Sequence, residues 1–248
     1  MAEQQKSYKK VMTYLENAIE SGRLSSGEQL PPERELAERL GISRNSVREA
    51  IRQLEHMGFL ISSQGSGNFL CSDIQQNLKD SFKLLILLHK IDYRQLAELR
   101  TGLELEAAIL AVNRITDEQI EDLEKIVMEM QDCTPSHGDL LDKRLHEIIA
   151  EASGNKLIIQ ILQALSSTID RFIHDMRQHI FLDSKAAKQL QYAHEQIVSA
   201  LSRRDKIQLV LAVTHHFNII NDNMYSEENV RQDSPRGLQT EAGKSGKV

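Results

Sequence analysis

The sequence predicts a mostly α-helical protein of two domains: a small helical domain closed by a short β wing, followed by an all-α antiparallel helical bundle. Three observations carry this expectation. Apolar residues recur at three- and four-residue spacing along most of the chain, the period of an amphipathic helix. Aromatic residues make up 4%, with no Trp and four Pro, a composition poor in strand formers. Turn residues concentrate in the first 70 positions and give way to long uninterrupted helical stretches. The length of 248 residues fits one large or two small domains at roughly one per 150 residues. With 27% charged and 40% hydrophobic residues, the chain lies far from the signature of disorder. Its longest apolar runs, such as 84–88, fall well short of the ~20 residues a membrane helix needs, and the start MAEQQKSYKK does not read as a signal peptide. Cys71 and Cys133 are the two cysteines, too few for a disulfide framework, so a reducing cytoplasm is the expected compartment and no membrane partner is expected.

Element by element, Val11, Tyr14, Leu15, Ala18 and Ile19 mark a first helix capped by Gly22. After a loop containing Gly27 and Pro31-Pro32, residues 33–40 read as a short helix that Gly41 ends. Ser43 is placed to cap a third helix running to about Met57, with Val47, Ile51 and Leu54 on its inner side. Residues 59–63 and 67–70 flank Gln64-Gly65-Ser66 as a two-stranded wing. Helices are then predicted near 77–89, 92–113, 116–130, 137–152, 155–180, 184–203 and 205–224, several opened by capping residues such as Thr116, Asp183 and Asp205. The expected organisation is a winged helix-turn-helix DNA-binding domain over 1–71, a linker at 72–76, an all-helical effector-binding and dimerisation domain over 77–225, and a disordered tail over 226–248.

The formal net charge of −6 argues against nucleic acid only until its distribution is read. Residues 1–70 hold nine Lys/Arg and nine Asp/Glu, so the deficit belongs wholly to the remainder. Two short helices joined by a tight turn at Leu40-Gly41-Ile42 form a helix-turn-helix, whose second helix enters the major groove by its start. There Arg44, Asn45 and Arg48 are exposed, arginine suited to guanine and asparagine to adenine. Arg34, one helix earlier, and Gly65 at the wing tip complete a surface for phosphate and minor groove. The plain alternative is a solvated face in which Arg44, Arg48 and Arg52 pair at helical spacing with neighbouring acids such as Glu55.

The segments Gly22-Arg23-Leu24, Leu30-Pro31-Pro32-Glu33-Arg34-Glu35-Leu36-Ala37, Gly41-Ile42-Ser43-Arg44, Val47-Arg48-Glu49-Ala50 and Gly65-Ser66-Gly67 closely resemble the winged helix-turn-helix of GntR-type transcription regulators. That resemblance implies that Arg34, Arg44, Arg48 and Gly65 touch operator DNA. With Ser43 and Asn45 they form the candidate DNA-binding set. Where the family usually has Thr before the Val-Arg pair, this chain has Ser46.

In the second domain, Asp142 and His146 stand one helical turn apart, and two later helices supply His194 and His216. Three nitrogens and one carboxylate suit a divalent transition metal such as Zn, Ni or Mn, with Zn and Ni favoured. The alternative is a capping Asp and a solvated His. The segments Asp142-Lys143-Arg144-Leu145-His146, Glu98-Leu99-Arg100 with Leu103-Glu104, and His194-Glu195 with Arg204-Asp205 and His216 resemble the effector-binding bundle, called FCD, of the FadR branch of GntR regulators. This resemblance implies that Asp142, His146, His194 and His216 hold a metal and that Arg100 reaches the carboxylate of a small organic acid. It also implies a homodimer. His215 beside His216 leaves a one-position ambiguity, and His216 keeps the family's spacing. His137, His174 and His179 are expected at the surface or its boundary, and Phe172, Met176 and Phe181 in the packing of the bundle.

The expected function is therefore a metabolite-responsive DNA-binding transcription regulator, read as a repressor and not an enzyme, whose partners are double-stranded operator DNA, a small organic-acid effector and a second copy of the chain. One alternative is a metal-dependent enzyme acting on a small carboxylate through the Asp/His site, although no HExxH motif and no separate general base are present. Another is a helical scaffold without a small ligand.

Overall fold

The computed structural model describes residues 2–71, 75–166 and 183–233. The chain divides into two compact units, 1–84 and 85–248.

In the first unit, α1 (Ala2–Glu20), α2 (Glu33–Leu40) and α3 (Arg44–His56) precede a hairpin of β1 (Leu60–Ser63) and β2 (Gly67–Leu70). Gly41 sits at φ 60° and ends α2 in the left-handed conformation that glycine adopts without a Cβ penalty. Two residues later the Ser43 side chain accepts from the Ser46 N–H and opens α3, so the tight turn is written as a C-cap followed directly by an N-cap. The strands pair antiparallel with Leu60 opposite Leu70 and Ser63 opposite Gly67, and Ser66 N–H donates to Ser63 O across the turn. A further isolated antiparallel bridge, Gln29 to Phe69, flanks β2, a pairing that residue spacing did not reveal. Val11, Leu15, Leu36, Val47, Leu54 and Leu60 form the core of this unit.

Helix α4 (Gln75–His89) follows and contains no buried residue. In the second unit α5 (Tyr93–Ala111), α6 (Asp117–Met130), α7 (Pro135–Ala152), α8 (156–166 as described), α9 (Ser184–Ser202) and α10 (Lys206–Asp233) form the helical bundle. Caps explain the boundaries: Asp92 and Thr116 make reciprocal capping boxes with Gln95 and Gln119, and Asp183 and Asp205 accept from the first-turn amides of α9 and α10. Arg204, at φ 53°, donates to the carbonyls of Val112 and Ile115 and so satisfies the end of α5. Ala107, Ala111, Ala193 and Ala200 are buried along the contacts, and these small side chains let the helices approach closely.

Three boundaries differ from expectation. Helix α4 begins at Gln75, inside the expected linker. Helix α7 begins at Pro135, two residues early, because Pro at the first turn loses no hydrogen bond. Helix α10 continues to Asp233 through Glu and Gln residues that favour helix, past the expected end near 224. The expected helix beyond 166, with Phe172, His174, Met176, His179 and Phe181, and the expected tail over 234–248 lie outside the described residues. Cys71 and Cys133 are both thiols and both half-buried. No helix among the described residues is long and apolar enough to cross a membrane.

Candidate DNA-binding face and metal centre

On the first unit, the start of α3 is exposed. The side chains of Arg44 and Asn45 make no hydrogen bond or ion pair among the described residues, so the plain reading of a self-paired arginine face does not hold for Arg44. Arg48 Nε lies 3.2 Å from Glu33 Oε2 at the start of α2, a link between the two helices of the motif. Arg34 pairs with Glu38 one turn on and is 76% exposed. Arg52 pairs with Glu49, while Glu55 accepts from the Ser62 N–H of the wing rather than from an arginine. Gly65 sits at φ 81° at the wing tip, with open space where a side chain would point. The Ser43 hydroxyl is occupied by its capping role and by Ser46 Oγ at 2.9 Å.

In the second unit, four helices converge on one polar spot. On α7, Asp142 and His146 flank buried Leu145. On α9, His194 lies on the face that buries Leu190, Ile197 and Leu201. On α10, His216 continues the buried face of Leu209, Ala212 and Val213, whereas His215, rotated about 100°, is exposed. One ligand atom from each of Asp142, His146, His194 and His216 lies within 4.8 Å of the others. His194 Nε2 is 3.0 Å and His146 Nε2 3.7 Å from Asp142 Oδ1. Ligands about 2.0–2.2 Å from a shared ion stand up to about 4.4 Å from one another, so the separations of 3.0 and 3.7 Å fit a divalent metal. The Phe217 ring centroid, 4.9 Å from that of His216 and 6.0 Å from that of His146, supplies an apolar wall.

Helix α5 adds two more polar residues to these four, Arg100 and Glu104. Arg100 Nε donates to Glu104 Oε1, and His146 Nδ1 is hydrogen-bonded to Glu104 Oε2. Burial pushes the Glu104 carboxyl up, but the Arg100 charge, the His146 ring and hydrogen bonds to both outweigh it, lowering its pKa to about 2. Residue spacing did not single out Glu104; the available signal was its place one turn after Arg100, where an i, i+4 partner faces the same side. An open cavity of about 270 Å³ beside α6 and α9 is lined by Gln131, Cys133, Gln191, His194 and Glu195 among others. Of the cluster only His194 reaches it. Glu195 accepts from Gln131 and Gln191, away from the other three cluster residues.

Two family models match the chain: that of bacterial regulatory proteins of the gntR family over residues 7–70, and that of the FCD domain over 95–218, half of the chain. The protein belongs to the GntR family. Its second unit is an FCD domain. This GntR-family chain is 29% identical over 218 residues to the HTH-type transcriptional regulator LutR of Bacillus subtilis (strain 168), covering 86% of the chain and 100% of that protein. It is 26% identical over 231 residues to the Uxu operon transcriptional regulator of Escherichia coli (strain K12), covering 91% and 90%. The solved structure titled Streptococcus agalactiae GntR aligns with a TM-score of 0.60 at 26% identity, over 87% of this chain and 99% of that one. The family and these relatives are transcription regulators, so the GntR-family chain is a regulator and not an enzyme.

Proposed function

We propose that this GntR-family protein is a homodimeric repressor that binds operator DNA through Arg34, Arg44, Asn45, Arg48 and the Gly65 wing tip, and releases it when a small organic acid joins a metal in the FCD domain. Ser43 serves by capping the helix that carries Arg44. The carrying observation is the convergence of Asp142, His146, His194 and His216 with an arginine tied to the same cluster through Glu104. Among the described residues the nearly buried charges here are Arg100, Glu104 and Asp142, one positive and two negative. A divalent ion turns that sum from −1 to +1. The acid's carboxylate then neutralises it, so metal is required before acid, and the guanidinium sets the carboxylate's orientation. When bound, the metal supplies a Lewis-acidic anchor for the acid. Zn or Ni suits the three-nitrogen, one-oxygen donor set.

Dimerisation is supported by apolar surface on α4, where Leu87 is 66% and Leu88 70% exposed. A two-fold dimer reads an inverted repeat with half-sites one helical turn apart. Working on bacterial DNA, the protein acts in the cytoplasm.

The test has two arms. Random duplexes are selected on the full chain, and the enriched fragment is titrated with wild type and with Arg44→Ala/Arg48→Ala. An enriched inverted repeat whose affinity the double variant loses supports the reading; equal, sequence-blind binding by both overturns it. Thermal shift is then run with 2-hydroxy, 2-oxo and sugar acids, with and without Zn²⁺ or Ni²⁺. A shift requiring both components and absent in Arg100→Ala supports the acid site, and acid shifts indifferent to metal overturn it.

A further inference from the structure

Resting on the metal-and-acid reading above, we propose that Glu104 is a positioning residue that sets both partners of the effector: it selects the nitrogen His146 offers the metal and the edge Arg100 offers the acid. Glu104 is 7% exposed, and its carboxylate uses its two oxygens for two different helices, Oε1 for Arg100 on its own α5 and Oε2 for His146 on α7.

A carboxylate can only accept, so the His146 Nδ1 facing it carries the proton, and the ring's lone pair sits on Nε2. Nε2 is the nitrogen on the cluster side, 3.7 Å from Asp142 Oδ1. The hydrogen bond thus fixes ring orientation and tautomer together and makes the imidazole a stronger donor to a metal. The same carboxylate occupies the Nε–H edge of Arg100. A guanidinium can grip a carboxylate with two parallel bonds along its Nε/Nη edge or along its terminal Nη1/Nη2 edge. With the first taken, an incoming acid is met end-on by the terminal pair. Specificity for a planar carboxylate is built into α5 by two residues one turn apart, and the metal ligand and the acid clamp are braced by one group.

Zn²⁺ affinity of the full chain is measured by competition with a chromophoric chelator. Glu104→Gln is expected to bind Zn²⁺ about 10- to 100-fold more weakly, because an amide turned to accept from His146 presents its NH2 to the Arg100 donor. Wild-type-like affinity in Glu104→Gln overturns the proposal while leaving the metal site standing. Wild type that binds no more Zn²⁺ than His216→Ala overturns the metal reading and the proposal with it. A measurement on the metal-free wild type needs no variant to fold: ¹⁵N spectra are expected to show His146 as the Nδ1–H tautomer and a slowly exchanging Arg100 Nε–H. An Nε2–H tautomer, or a rapidly exchanging Nε–H, overturns it.

Discussion

Glu33 and Arg48, fifteen residues apart, are joined across the helix-turn-helix by an Nε to Oε2 contact of 3.2 Å, with 25% and 46% of their side chains exposed. The pair is too exposed to stabilise the fold much; exposed ion pairs contribute about 0–1 kcal/mol. In the proposed DNA-binding reading its effect falls on recognition, because it restricts Arg48 before DNA arrives and places a negative charge beside the proposed docking face. Glu33→Gln is therefore expected to leave thermal stability nearly unchanged, raise affinity for random DNA and lower the ratio of operator to random affinity. Fluorescence anisotropy on both duplexes at several salt concentrations checks this. An unchanged ratio would refute it.

Ser43 separates capping from base contact. Its hydroxyl accepts from the Ser46 N–H, so Ser43→Ala is expected to cost about 1 kcal/mol. In a domain of this size that lowers the melting temperature by roughly 4–8 °C. Ser43→Asp, which keeps a capping oxygen, restores stability but weakens DNA binding by repelling phosphate. Calorimetry paired with anisotropy distinguishes the two effects.

His215 and His216 make an internal control one residue apart. His216 is fully buried within the cluster and His215 is exposed. His216→Ala should abolish tight Zn²⁺ binding and the stabilisation it brings, about 2.7 kcal/mol at 100 times the dissociation constant. His215→Ala should match wild type. Adding a chelator to wild type should reproduce the loss. The reverse pattern would place the ligand at His215.

Leu87 and Leu88 test the dimer. Charged replacements at these exposed positions, Leu87→Glu/Leu88→Glu, are expected to convert a dimer into a 28.2 kDa monomer in sedimentation and to weaken operator binding, with helicity preserved. A variant that still sediments as the dimer puts the interface elsewhere.

Much of this molecule was legible in one dimension. The caps Ser43, Thr116, Asp183 and Asp205 act through amides two or three residues away, so their effect is readable without the fold. The wing register follows from a tight turn for the same reason. Asp142 and His146 were readable as a pair because one helical turn separates them. The bridge from Gln29 to Phe69 was not, since a single bridge leaves no alternation pattern to read.

Spacing alone put Asp142 and His146 on one helix face and the arginines at the start of a recognition helix, while His194 and His216 joined the set only through the family resemblance. It could not bring four helices to one point. The bonds from Glu104 to His146 and from Glu33 to Arg48 join residues on different helices, and neither has a period that a linear pattern could carry. Packing made those choices, because a buried carboxylate must find donors wherever neighbouring helices supply them, and which helix becomes the neighbour depends on how the small residues of the bundle close together.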